Sequence, residues 1–211
     1  MKKFFLVVVL ALTTLTINAQ EKIFLEYGAA EEEVEKVYRD KNFAIKLGAG
    51  ISNLLGTEAY PATSYKFAFS YDWRLVKGLY LIPEMDFIVK GSNPWNWTNT
   101  LNAAYLQMPV CLAWKFDLPK GMKLGLKAGP YVAVGLFGSD IIWDSWYTSD
   151  VFDSNFGSSR FDAGVMAGVH FDFFVFTVGM EYSQGLIMLN SGYTPLNGYN
   201  YAAGLTFGVR F

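Results

Sequence analysis

From Phe43 to the final residue, Phe211, the chain alternates residue by residue, and one side of the alternation carries no charge. In the closing run, Tyr201, Ala203, Leu205, Phe207, Val209 and Phe211 share one face, while Ala202, Gly204, Thr206, Gly208 and Arg210 share the other. A period of two with grease on one side and small or polar groups on the other is a strand between two unlike surroundings. Seven earlier runs repeat the pattern, over 43–51, 65–73, 79–89, 106–116, 124–136, 161–171 and 174–182. Their apolar positions hold no charge, amide or aliphatic hydroxyl. The opposite positions hold Lys46, Lys66, Asp72, Arg74, Glu84, Asp86, Lys90, Lys115, Lys123, Lys127, Asp162, His170, Glu181 and Arg210, interleaved with glycines.

Eight strands of this kind close into a barrel whose interior is just wide enough for side chains or one small ligand. A soluble barrel would turn the apolar face inward, but this many bulky residues cannot fit there. Facing outward, they meet lipid, and the glycine-rich face leaves room inside for long charged chains. The fold expected is therefore all-β: an eight-stranded antiparallel up-and-down transmembrane β-barrel with a short N-terminal periplasmic helix. Composition agrees, at 52% hydrophobic, 18% aromatic and 17% charged.

The N-terminus reads as a secretory signal over residues 1–19: Lys2 and Lys3, an apolar core from Phe4 to Ile17, and a small residue at the Ala19-Gln20 edge. That core is shorter than the roughly 20 residues of a spanning helix. Losing the two lysines takes the formal net charge from −2 to −4, too mild to suggest nucleic acid. Residues 20–42 form a periplasmic lead-in, with an acidic helical pattern from Ala29 to Arg39, and the barrel occupies 43–211. A single cysteine, Cys111, rules out an intrachain disulfide.

With the N-terminus in the periplasm, long connections near 53–62, 91–101, 138–160 and 190–199 are extracellular. Short ones near 75–78, 117–121 and 172–173 are periplasmic, as outer-membrane barrels require. The tightest is a two-residue loop, Asp172-Phe173, that pairs Phe171 with Phe174. Pro83, Pro109 and Pro130 fall inside strands, where each removes a ladder donor, so bulges or broken pairing are expected there.

The segments Lys46 to Leu54, Pro83-Glu84-Met85 with Lys90-Gly91, Tyr105 to Val110, Ala128 to Val132 and Met180 to Leu186 together resemble the PorT-like, or porin-family, outer-membrane β-barrel proteins of Bacteroidetes-type bacteria. The likeness spans about residues 43 to 211. It implies a small barrel in the outer membrane of a Gram-negative bacterium, without implying one activity; one branch of the family takes part in protein secretion. The end of the chain is similar to the signal read by the barrel-assembly machinery, with Phe207, Val209 and Phe211 as its apolar ladder.

Chemistry is sparse. His170 is the single histidine, so any Ser-His-acid arrangement must use it, and its place near the periplasmic end suits a satisfied lumen histidine rather than a catalyst. Neither a metal cluster nor a phosphate-cradling glycine loop stands out, and no cofactor or catalytic residue is expected. The lumen charges Lys46, Lys66, Glu84, Asp86, Lys127, Asp162, His170, Glu181 and Arg210 are expected to form a polar plug. The extracellular loops bring Trp95, Trp97, Trp143, Trp146 and Tyr147, which could grip a glycan or a protein. The function expected is a non-enzymatic outer-membrane barrel acting in envelope integrity or in binding through its loops. The alternatives are an accessory role in secretion or surface assembly, with an extracellular or periplasmic partner, and then a narrow channel or lipid-modifying enzyme. Membrane lipid and the barrel-assembly machinery are the implied contacts.

Overall fold

The computed structural model describes residues 42–95, 99–142, 148–149, 152, 159–189 and 198–211. All of them belong to one compact unit, Asp40–Phe211. The signal sequence, the lead-in and its helix lie outside the described residues. Among the described residues ten strands are present: β1 Phe43–Leu55, β2 Tyr60–Tyr71, β3 Trp73–Val76, β4 Leu79–Trp95, β5 Asn99–Leu118, β6 Met122–Ile142, β7 Thr148–Ser149, β8 Phe161–Phe173, β9 Phe176–Leu189 and β10 Gly198–Arg210. β2 and β3 make one stave, interrupted only at Asp72, and β7 is a short strip on β6. That leaves a closed antiparallel barrel of eight staves. Each pairs with its sequence neighbour, and β1 pairs with β10 to complete the ring.

The face assignment follows the alternation. In β10 Leu205 is 64% exposed and Phe207 51%, whereas Lys127 on β6 is only 4% exposed. Closure leaves no open sheet edge, the condition for strands to cross a bilayer. Among the described residues no helix is long and apolar enough to cross a membrane.

Several expectations at the strand ends need correction. The β8–β9 hairpin turns at Phe174 and Val175, with Phe173 paired to Phe176, two residues later than Asp172-Phe173. The shift is even, so the faces are unchanged. Asp172 therefore sits in the strand and points inward. Phe174 itself supplies the turn, with φ 54°, a conformation costly for a residue with a Cβ. At the end with the long connections, β4, β5 and β6 also run on past the expected bounds, to Trp95, from Asn99 and to Ile142. Past Gly135 the alternation breaks, because β6 shifts register between Tyr105↔Gly135 and Ala104↔Phe137, so Leu136 is an extra residue.

The prolines do not produce bulges. The β4–β5 register is the same on either side of the unpaired stretch between Pro83↔Val110 and Asp86↔Gln107. The same holds for β5–β6 between Pro109↔Tyr131 and Leu112↔Ala128, and β6–β8 runs through Pro130↔Val165 without a gap. Pro83 pairs with Val110, and that register brings Val110 beside Pro130 on its other side. The lost donors thus collect at one spot on β5, where pairs drop out but the count of residues is kept.

Candidate functional site: an ionic lattice in the lumen

Glu84 organises the middle of the lumen. Its Oε2 accepts hydrogen bonds from Lys46 Nζ at 2.7 Å and Lys127 Nζ at 3.0 Å, and its Oε1 accepts one from Lys66 Nζ at 2.9 Å. Lys66 also donates to Asp86 Oδ2 at 3.3 Å and to Glu181, and Lys127 reaches Glu181 Oε1 at 2.6 Å. Three ammonium groups from β1, β2 and β6 thus face three carboxylates from β4 and β9. All six are buried. Ions this deep persist only when paired and hydrogen-bonded.

A second tier lies toward the short turns. Lys115 Nζ donates to Asp72 Oδ2 at 2.5 Å and to Asp172 Oδ2 at 2.9 Å. Arg210 spans the same two acids, through Nη2 to Asp72 and Nη1 to Asp172, both at 2.5 Å. Two cations meet two acids, and the last residue of β10 is tied to the second and sixth staves. A third tier lies toward the long connections. Lys90 Nζ is 3.8 Å from Asp162 Oδ2 and sits over the rings of Tyr131 and Tyr105, at 4.9 and 5.5 Å. Tyr131 donates to Asp162 at 3.1 Å, and Asn200 donates to the Tyr105 hydroxyl at 3.3 Å. In each tier the formal charges balance.

The histidine differs from expectation. His170 Nε2 is 3.9 Å from Asp172 Oδ2, too far to bond, and has no hydrogen-bond partner among the described residues. What holds the ring is space. A Cβ at Gly125 would lie 2.2 Å from its Cε1 and Nε2, so only glycine fits opposite it. Gly125→Ala is therefore expected to destabilise the barrel by about 1–3 kcal/mol through overpacking. In a denaturant titration, His170→Ala in the same chain should recover most of that loss.

Two residues leave the roles read from sequence. Arg74 is exposed on β3, beyond the end of the lumen. Phe152, in the 138–160 connection expected to be extracellular, is 5% exposed. It packs edge-on against Tyr105 at 5.8 Å, in space that Gly135 leaves open, and Arg160 lies 5.2 Å over its ring. Trp97, Trp143, Trp146 and Tyr147 fall outside the described residues, as does the side chain of Trp95. Phe207 faces outward and stacks on Phe176 at 5.7 Å, Phe211 lies 6.3 Å from Phe43, and Val209 pairs with Ile45 at the closing seam. Cys111 is buried with a free thiol. No group of three or more His, Cys, Asp or Glu able to hold a metal occurs among the described residues.

Sequence reasoning placed Asp72, Lys90 and Lys115 on the inward face and missed only Asp172 as a member of these tiers. The signal for Asp172 was its shared parity with His170, hidden by the misplaced turn.

The barrel is similar to solved structures. The outer membrane enzyme PagL matches at 15% identity, over 80% of this chain and 99% of that one, with a TM-score of 0.52. Neisserial surface protein A matches at 15% identity, over 80% of this chain and 97% of that one, with a TM-score of 0.50. At these identities the likeness is one of fold. No curated protein matches the sequence significantly. A family model described as an outer membrane protein beta-barrel domain matches residues 34–190. Together with the closed barrel and its lipid-facing apolar side, that match makes this chain a member of the outer membrane protein beta-barrel domain family, seated in the outer membrane of a Gram-negative bacterium.

Proposed function

We propose that the protein is a sealed, non-enzymatic outer-membrane barrel that supports the envelope and presents its extracellular loops for binding. The observation that carries this reading is the charge-balanced lattice around Glu84, which draws on five staves and crosses the lumen at its middle. A conduction path needs mobile ions in a wet channel; here the charges neutralise one another, and eight staves leave little width. Purified protein in planar bilayers should show no steady single-channel current, and a stable open level in the unmodified protein would refute the seal. PagL shows that this fold can carry an enzyme. In this chain the single histidine is buried in the lumen, away from lipid. His170→Ala should accordingly leave the cell's lipid A mass spectrum unchanged, and an altered spectrum would favour a lipid-modifying enzyme.

The likeness of β1, β4, β5, β6 and β9 to PorT-like barrels supports a second reading, an accessory part in protein secretion. Deleting residues 21–41 separates the two. Lost secretion with an intact barrel favours the accessory role; normal secretion favours the scaffold.

A further inference from the structure

The end of the barrel that carries the short turns is divided into two unlike arcs. One runs from β3 to β6. Its two turns lie at residues 77–78 and 119–121, and the first is tied to β5 by a hydrogen bond from Lys115 N to Gly78 O at 2.7 Å. Arg74, Lys77 and Lys120 are exposed on this arc, and Trp73 and Trp114 project outward just above them. The one exposed acid there among the described residues, Asp117, pairs in register with Lys123. The other arc runs through β8, β9, β10 and β1, and its outward face is phenylalanine. Phe171 stacks on Phe173, Phe173 meets Phe176, and Phe176 stacks on Phe207, with centroids at 5.8, 5.6 and 5.7 Å. Phe211, Phe43 and Phe69 continue the band, at 6.3 and 6.2 Å. The charged residues of this arc, Arg210 and Asp172, turn into the lumen. At its tip Phe174 is 81% exposed and has φ 54°. Glycine or asparagine would adopt that turn at less cost, so the position keeps a large apolar side chain against local preference. Held strain of this kind points to a use for the side chain.

We infer that this rim is a two-part contact with the periplasmic leaflet: Phe174 is sunk among acyl chains on one arc, while Lys77, Lys120 and Arg74 engage the phosphates of anionic phospholipids on the other. Both parts continue the lipid-facing wall already described. Phenylalanine has no polar handle and belongs below the headgroups, whereas basic side chains beside tryptophans belong at headgroup level. A lysine near an anionic surface favours it by roughly fivefold in binding. The two turn lysines together should then give a preference for anionic over zwitterionic phospholipid of about tenfold or more.

Two measurements test this on the full-length mature protein. In native mass spectrometry from mixed phosphatidylglycerol and phosphatidylcholine, the unmodified barrel should retain phosphatidylglycerol by that margin, and Lys77→Gln/Lys120→Gln should reduce the margin to within about twofold. Equal retention by the unmodified protein, or a preference untouched by the double substitution, overturns the proposal. For the apolar arc, Phe174→Cys in a Cys111→Ala background carries an environment-sensitive dye. Blue-shifted emission, quenched by lipid-borne quencher and shielded from iodide, is expected. A dye open to iodide would put the turn in water, available to a periplasmic protein instead, and would overturn it.

Discussion

Glu84→Ala should cost the barrel about 3–5 kcal/mol of stability, the range for removing one partner of a buried ionic cluster. Three lysines converge on this carboxylate, from β1, β2 and β6, with Nζ–Oε distances of 2.7, 2.9 and 3.0 Å. Glu181 and Asp86 stand near two of the lysines, but Lys46 has no second carboxylate within ion-pair distance among the described residues. The loss is therefore chiefly that of stranded positive charge, not of one bond. Asp86→Asn should cost clearly less, because Asp86 contributes a single longer contact, 3.3 Å to Lys66. Urea titration of the barrel refolded into vesicles checks both. A Glu84→Ala loss below about 1 kcal/mol would mean the lattice is hydrated well enough to screen itself.

Leu205→Arg is expected to act from the opposite side of the same strand. Leu205 lies mid-stave, paired with Ala49 on β1 and Met180 on β9, and is 64% exposed on the outer face. A cation there must enter the hydrocarbon, at about 2–4 kcal/mol near the bilayer midplane. Leu205→Phe keeps the surface apolar and should be close to neutral. Folding yield in vesicles, read from the gel mobility shift between folded and heated protein, separates the two. Equal yields would place Leu205 against something other than lipid.

The contrast between these substitutions marks what alternation can reveal. Which face each residue takes was legible because lipid on one side and a narrow ionic lumen on the other punish every exception, so Leu205 and Lys127 declare themselves. Where neither environment acts, the reading slipped. Past Gly135 no lipid enforces the period, and an inserted Leu136 changes the phase of β6. At the β8–β9 turn the whole stretch from Phe171 to Phe176 is aromatic or aliphatic apart from Asp172, and no glycine marks the corner. Phe174 takes the left-handed conformation itself, so the turn could not be located by residue type. The ionic partners were legible as a set but not as pairs. Lys46, Lys66 and Lys127 lie 38, 18 and 43 residues from Glu84 in sequence. Only the ring of ladder registers brings them to one point. His170 shows the same limit: its parity placed it inside, yet the residue that positions it is Gly125, whose role is to have no side chain.

The central claim is that the uncharged face meets acyl chains. Methyl-labelled protein in nanodiscs, with a nitroxide on the lipid chains, tests it most directly by relaxation enhancement. The account predicts strong broadening of the methyl signals of Leu205, Met180, Val132 and Val169, which face outward, with Ile88, Met166, Ala68 and Ala133 spared inside the barrel. The reverse pattern, with Ile88 and Met166 broadened and Leu205 and Val132 sharp, would contradict it.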